Sequence, residues 1–381
     1  MTKYERLHLA MAHKKADRVP VMCQLSFEHM EKNSGVKPID MYYSAEGFAQ
    51  AFLNMRELYQ FDGILLDAWI KYDWKEKYDK IRRTKIAGGE EYVLHDGRVF
   101  RQEGQLFHEI HTRKHAWERP EQPSIEDIDV DSIFKRGFEG VYVDDMALHE
   151  IVVAEGKKGK FSVHGETNSP FDFICFLLGL ENALMALLTE PMKCKELLDG
   201  YVAQSFALAK AQIDVGVDTM KISSPFVGGS FISLHCYEEF VVPYERALVQ
   251  RINAYAPGMP IYTHTCGFIG DRLAQMQSTG IDGIECMDPP PLGDTELADA
   301  KQQVGNSLFL KGNMDSVNVL LGATPEIMES YVKKMIADGA RGGGYILSSA
   351  CSVAPDVSAE VLKMLVPLVE KYGVYGEGGL A

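Results

Sequence analysis

The feature of this sequence that most constrains its fold is the alternation of short apolar runs with helical patterns. Eight runs are short, largely apolar and close to turn residues, as buried parallel strands are; they cover residues 19–24, 63–66, 161–165, 219–222, 260–263, 283–285, 307–311 and 345–349. Between many of them apolar residues recur at helical spacing, as at Met328, Val332 and Met335. Eight strands with intervening helices predict an α/β fold, a (β/α)8 TIM barrel. An open doubly wound sheet has the same periodicity and remains an alternative.

Residues 71–145 interrupt this alternation. The segment carries many charges, and Asp96-Gly97 separates two strand-like runs, which predicts a hairpin with a type I′ turn. We interpret the segment as a lobe inserted after the second strand, where it could cover the mouth of the barrel. The chain is therefore predicted to form a single barrel domain over residues 1–381 that carries this lobe.

Composition and charge exclude several classes of protein. The chain has 381 residues and a net charge of −15, which argues against non-specific binding to nucleic acid or to an anionic membrane. Residues 1–18 are charged and lack the apolar stretch of a secretory signal, and no apolar run is long enough to span a membrane. Seven cysteines without close pairing do not indicate a disulfide framework. We predict a cytoplasmic protein with mostly reduced thiols.

Candidate metal ligands follow three of the predicted strands. His264 and Cys266 follow the run at 260–263, and Cys351 follows the last run. Imidazole and thiolate ligands suit Zn²⁺, and a catalytic zinc takes three or four such ligands and keeps one position open. Glu166 follows the third run and is our predicted fourth ligand, although it could instead anchor its loop. Cys266 and Cys351 could also be small buried hydrophobic residues. We interpret the remaining cysteines as structural, although Cys23 and Cys286 lie near predicted strands and could reach the mouth.

Four further residues are candidates for contact with a substrate. Glu285 and Asn313 lie at the ends of predicted strands, where barrel enzymes place their functional groups. Trp69 and Tyr72 follow the second strand and could form a wall for a flat apolar substrate. Packing in the core or docking of the lobe is the alternative for these two aromatic side chains.

These motifs together resemble the uroporphyrinogen decarboxylase superfamily. The resemblance lies in Asp17-Arg18-Val19-Pro20-Val21, residues 165–170, Gly179-Leu180-Glu181-Asn182, His264-Thr265-Cys266-Gly267, Gly312-Asn313-Met314-Asp315 and Cys351. It spans nearly the whole chain and is weakest over residues 71–145. The resemblance implies a (β/α)8 barrel.

The superfamily contains two chemistries, and the motifs favour one of them. Its decarboxylases are metal-free and hold substrate carboxylates with an arginine-rich N-terminal segment, whereas residues 22–29 here contain no arginine. Its other branch contains zinc-dependent, corrinoid-linked methyltransferases with His-x-Cys and a distant Cys. Similarity to that branch implies that His264, Cys266 and Cys351 bind zinc.

The same resemblance sets expectations about substrate and partners. The chain has no Asp-x-His-x-x-Gly motif of the kind that binds corrinoid, so cobalamin should arrive on a separate corrinoid protein. The expected reaction is O-demethylation of a methoxylated aromatic compound. Methyl transfer from methyl-corrinoid to the thiol of coenzyme M is one alternative, and a decarboxylase of the uroporphyrinogen type is another. Monomers and dimers both occur in the superfamily, so the chain could form a homodimer.

Overall fold

The protein combines a parallel sheet, surrounding helices and a smaller antiparallel sheet. The computed structural model describes residues 1–67, 74–104, 106–110, 122–135, 145–376 and 380. The parallel sheet has seven strands in the order β1-β6-β7-β8-β9-β10-β11. They are β1 Gly63–Leu66, β6 Ser162–Asn168, β7 Thr219–Ser223, β8 Ile261–Thr265, β9 Gly283–Cys286, β10 Phe309–Met314 and β11 Tyr345–Ser349. The predicted α/β class is therefore confirmed, and the candidate residues at 166, 264, 285 and 313 lie within the ends of these strands.

Helices separate most of these strands. In chain order they are α1 Lys3–Met11, α2 Phe27–Asn33, α3 Pro38–Tyr43, α4 Ala45–Tyr59, α5 Trp74–Asp79, α6 Val130–Lys135, α7 Ala147–Gly159, α8 Pro170–Leu178, α9 Leu180–Thr189, α10 Pro191–Val215, α11 Leu234–Phe240, α12 Val242–Tyr255, α13 Leu273–Ser278, α14 Leu297–Gln303, α15 Pro325–Gly339, α16 Ala359–Lys363 and α17 Leu365–Tyr372. Within the described ranges no single helix is long and apolar enough to cross a membrane; the bent pair α8 and α9 passes that test only when taken together.

The predicted first strand, residues 19–24, is not a regular strand but lies between β11 and the start of β1. Val21 forms an isolated parallel bridge with Leu347, and its carbonyl accepts a 2.9 Å hydrogen bond from the backbone N–H of Asp62. The Asp62 carboxylate in turn accepts the N–H of Val21 at 2.8 Å. A side chain thus takes the N–H that a ladder carbonyl would otherwise accept, so regular pairing does not extend along the segment.

The smaller sheet lies within the segment predicted to be an inserted lobe. Its strands β2 Arg82–Ile86, β3 Gly89–Val93, β4 Val99–Glu103 and β5 Leu106–Ile110 pair antiparallel in sequence order. The predicted hairpin is present, but its loop has three residues, because the N–H of Leu94 donates to the carbonyl of Arg98 and Gly97 has φ of 86°. A left-handed glycine at that position is typical of a three-residue loop rather than of a type I′ turn.

Side chains inside the parallel sheet are apolar at one end and polar at the other. Tyr262 and Phe309 pack in a buried cluster with residues of α1, which covers the amino ends of the strands. Two residues further along their strands, on the same face because strand side chains alternate, lie His264 and Lys311. Both are buried. The carboxyl end of the sheet therefore encloses a polar interior in which ionisable groups must satisfy one another.

Candidate metal centre

His264, Cys266 and Cys351 come together at the carboxyl end of the sheet, as the sequence predicted. The Nε2 atom of His264 lies 3.2 Å from the Sγ atom of Cys266, which lies 3.8 Å from the Sγ atom of Cys351. Two thiolates on one tetrahedral zinc, each about 2.3 Å from the ion, are separated by roughly this distance. A disulfide would bring the two sulfur atoms to about 2.05 Å, and all cysteines of this chain are free thiols.

The thiol of Cys286 also lies in this cluster, although we had interpreted it as structural. Ligand atoms of His264, Cys266 and Cys286 all lie within 4.8 Å of one another. Regular alternation along β9 would point Cys286 away from the side occupied by Glu285. Cys286 and Met287, however, have φ of 79° and 54°, which ends the extended conformation. No sequence pattern marks this left-handed turn, because neither residue is a glycine or an asparagine.

The four side chains form a donor set that fits zinc. One imidazole nitrogen and three sulfur atoms are softer than the oxygen ligands of Mg²⁺ or Ca²⁺. Hydrogen bonds from the Cys266 and Cys286 thiols hold the pKa of Cys351 far below its usual range. The site thus favours a thiolate, which is the form of cysteine that binds metal.

Glu285, predicted to contact substrate, instead fixes the orientation of His264. Its Oε2 atom lies 3.1 Å from Nδ1 of His264 and 3.7 Å from Nζ of Lys221, and Oε1 accepts a hydrogen bond from Lys311. Burial alone would raise the pKa of Glu285, but Lys311 and Lys221 hold it well below its usual range. An ionised carboxylate that accepts the Nδ1 proton leaves Nε2 free to bind a metal, as in many zinc sites.

Glu166, our predicted fourth ligand, forms an ion pair instead. Its Oε2 atom lies 2.9 Å from Nζ of Lys221, and both side chains are buried. Lys221 also donates to Gln24 at 3.0 Å. Near this pair, burial and the carboxylate of Glu166 raise the pKa of Asp67 to about 7. The geometry thus puts Cys286, rather than Glu166, beside the three other candidate ligands.

The remaining predicted contacts divide into two groups. The side-chain amide of Asn313 donates to the carbonyls of Met287 and Thr295 at 2.8 and 2.9 Å, and so fixes the loop that follows Cys286. Trp69 and Tyr72 lie outside the described residues.

A cavity of about 660 Å³ lies between the small sheet and helices α2 and α3. Aromatic and acidic side chains line much of it, among them Tyr42, Tyr43, Phe100, Phe107 and Glu31. Helix α2 begins just after a bridge between Leu25 and Val353, and Val353 follows Cys351 by two residues. Helix α2 thus connects the cavity to the segment that follows Cys351, although none of the candidate metal ligands lines the cavity. Its size suits a small organic ligand.

Comparison with known proteins gives one family match and several related enzymes. A family model described as uroporphyrinogen decarboxylase (URO-D) matches residues 146–372. A uroporphyrinogen decarboxylase from Vesicomyosocius okutanii is 28% identical over 55% of this chain and 59% of its own length. A methylated-thiol–coenzyme M methyltransferase from Methanosarcina mazei is 26% identical over 52% of this chain and 50% of its own.

Two further matches extend this set. The methylcobamide:CoM methyltransferase MtbA of Methanosarcina mazei is 28% identical over 46% of this chain and 48% of its own length. The chain thus spans about half of the two methyltransferases and 59% of the decarboxylase. A solved methyltransferase from Methanosarcina mazei superimposes with a TM-score of 0.72, covering 98% of this chain and 99% of its own. At 16% identity, that likeness establishes the fold alone.

Proposed function

Because this chain belongs to the uroporphyrinogen decarboxylase (URO-D) family, we propose that it represents the zinc-dependent methyltransferase branch of that family. It would move a methyl group between a small substrate and the cobalamin of a separate corrinoid protein. The observation that carries the proposal is the convergence of His264, Cys266 and Cys351, with the imidazole oriented by buried Glu285. Zinc at these residues supplies Lewis acidity, which stabilises a leaving phenolate or lowers the pKa of a thiol.

The residues around the centre hold it in a defined state. Glu285 lies against Nδ1 of His264, so Nε2 is the ring nitrogen that faces the thiols. Lys311 and Lys221 keep Glu285 ionised, and Asn313 holds the Met287 carbonyl next to Cys286. Together they position the ligands before a substrate arrives, which lowers the cost of organising the site during reaction.

We also propose that residues 1–381 form one closed (β/α)8 barrel with an inserted lobe over its mouth. In support, residues 19–24 occupy the eighth strand position between β11 and β1 through backbone hydrogen bonds. The small sheet belongs to the proposed lobe, and it borders the cavity together with helices α2 and α3. A mouth roofed in this way would exclude water from the reacting groups.

For the substrate, we favour a methoxylated aromatic compound, which would be demethylated at oxygen. The support is the cavity of about 660 Å³, whose walls include Tyr42, Tyr43, Phe100 and Phe107. Aromatic side chains of this kind stack well on flat rings. Contact of Trp69 and Tyr72 with such a ring stays a prediction from the sequence, because both lie outside the described residues.

A thiol such as coenzyme M is the second candidate substrate. Two related methyltransferases carry names that refer to coenzyme M, which favours it. Decarboxylation has less support. The two lysines inside the described part of the sheet, Lys221 and Lys311, are paired with Glu166 and Glu285 and are not placed to clamp substrate carboxylates.

The setting of the protein follows from its thiols and its charge. Three closely spaced free thiols persist in a reducing compartment, so we propose a cytoplasmic protein. Its net charge of −15 disfavours nucleic acid and anionic membranes as partners. A corrinoid protein and a small-molecule methyl donor or acceptor are the proposed partners, and a homodimer is compatible with them.

The first test is the metal content of protein purified without added zinc, compared between the wild type and Cys351→Ser. We expect about one zinc per chain in the wild type and loss of zinc in the variant. Methyl transfer is then measured in two assays: from a methoxybenzoate to a reduced corrinoid protein, and from methylcobalamin to coenzyme M. If turnover occurs in just one of the two assays, that assay identifies the substrate class. Folded, zinc-free wild type that decarboxylates a porphyrinogen would overturn the proposal.

A further inference from the structure

We propose that Cys286 is a fourth ligand of the metal, and that the substrate displaces it when it binds. This inference rests on the proposed function, because it requires a metal held by His264, Cys266 and Cys351. It goes beyond that function by assigning the open coordination position to one particular residue of this chain.

The position of Cys286 supports the first half of the proposal. Its sulfur lies within 4.8 Å of the ligand atoms of His264 and Cys266. Cys351 adjoins this group, because its Sγ atom lies 3.8 Å from that of Cys266. Cys286 is fully buried and ends β9, the strand next to the one that carries His264 and Cys266. One ion could therefore bind His264, Cys266 and Cys286 together, with the Cys351 thiol next to that of Cys266.

Four protein ligands create a chemical conflict that displacement would resolve. A site of three cysteines and one histidine is closed, as in structural zinc sites, whereas transfer chemistry needs an open position. One ligand must therefore leave when a substrate binds. His264 is held by Glu285, but Cys286 sits in a left-handed conformation with φ of 79° that a cysteine rarely adopts.

Asp288 offers Cys286 an alternative partner after displacement. The Asp288 carboxylate follows Cys286 by two residues and lies near its thiol. That carboxylate is buried and held in place by the backbone N–H of Gly267 at 2.7 Å.

The exchange is balanced in atoms and charge. When the substrate is a thiol, the bond between the metal and Cys286 breaks, the bond between the metal and the substrate sulfur forms, and the thiol proton moves to Cys286. When it is an aryl methyl ether, which has no proton to give, the ether oxygen takes the position and Cys286 leaves as a thiolate. Nothing is oxidised or reduced in either case.

X-ray absorption at the zinc edge of the full-length, zinc-loaded protein tests the first half. We expect three sulfur neighbours at about 2.3 Å and one nitrogen at about 2.0–2.1 Å in the wild type. Cys286→Ser and Cys286→Ala should each show two sulfur neighbours. Cys236→Ser is the matched control, because Cys236 is a half-buried free thiol on α11 outside the cluster. Two sulfur neighbours in the wild type would overturn the assignment.

The second half is tested by adding two probes separately, a small alkane selenol and a methoxyphenol. Displacement predicts that at least one probe lowers the sulfur count of the wild type from three to two, with one selenium or oxygen neighbour gained. A count that stays at three with both probes refutes displacement. Absence of zinc from the wild type would instead overturn the proposed function. If the wild type transfers methyl groups but its zinc has only two sulfur neighbours, only this inference is overturned.

Discussion

Replacing Glu285 by glutamine should weaken zinc binding without removing a ligand. The carboxylate is buried and accepts the Nδ1 proton of His264. A neutral amide presents either an oxygen or an NH2 group to that nitrogen, so the ring is no longer fixed in one orientation. Loss of such a partner typically lowers metal affinity by about 10- to 100-fold. This corresponds to about 1.4–2.7 kcal/mol.

The same substitution has a second, separable effect on stability. In the described structure Glu285 is the carboxylate that pairs with Lys311, and Lys311 is fully buried. After the substitution Lys221 would still have Glu166 as a partner. Removing one member of a buried ion pair costs about 3–5 kcal/mol. We therefore expect the metal-free Glu285→Gln variant to unfold at a lower denaturant concentration than the wild type.

A double variant separates the two effects. Glu285→Gln combined with Lys311→Met removes both buried charges, so most of the lost stability should return. Zinc affinity should stay low, because the imidazole still lacks its carboxylate. The measurements are competition with a chromogenic chelator for affinity and urea unfolding of the metal-free protein for stability. Unchanged zinc affinity in Glu285→Gln would refute the orienting role of this carboxylate.

Three further predictions concern stability. Burial raises the pKa of Asp67 from 3.8 to about 7, so between these pH values the carboxyl group keeps its proton in the folded protein and loses it in the unfolded chain. Asp67 should therefore lower the free energy of unfolding progressively as pH rises from about 4 to about 7. Urea unfolding at several pH values should show that Asp67→Asn abolishes this loss. Asp62→Ala removes the fully buried carboxylate that binds both Arg6 and Arg18, of which Arg6 keeps Asp17 as a partner. It should cost about 3–5 kcal/mol, and unchanged stability would argue against its role in holding the N-terminal segment. Gly283→Ala places a Cβ atom 2.4 Å from the ring of Phe309 and should cost about 1–3 kcal/mol in thermal unfolding, whereas Gly322→Ala, which meets no atom within 4 Å, should not.

The sequence predicted the strands better than the pairing of charges inside the sheet. Runs of apolar residues define β1 and β6–β11, because each strand is short and buried. The partners of the polar side chains depend instead on register, which no local pattern encodes. Glu166 pairs with Lys221 across β6 and β7, and His264 pairs with Glu285 across β8 and β9. Knowledge of these two registers would have moved Glu166 from the ligand list to an ion pair.

The sequence predictions for Cys286 and for residues 19–24 differ from the structure for different reasons. Cys286 was missed because its backbone leaves the extended region at the end of β9, where alternation stops predicting side-chain direction. Residues 19–24 have the composition of a strand, yet the carboxylate of Asp62 takes one of their N–H groups. Both departures lie beside the carboxyl or amino ends of strands, where tertiary contacts outweigh local preference.

The ion pairs around the centre have a consequence for how the protein could acquire its metal. Glu166 and Glu285 carry two negative charges, and Lys221 and Lys311 carry two positive charges, so the four buried groups are neutral as a set. These two ion pairs thus need no bound cation to balance them during folding. Zinc fingers, by contrast, remain unfolded until metal binds. This protein should instead reach its native fold empty and acquire zinc afterwards through the open end of the sheet, so the supply of metal would control its activity without controlling its abundance.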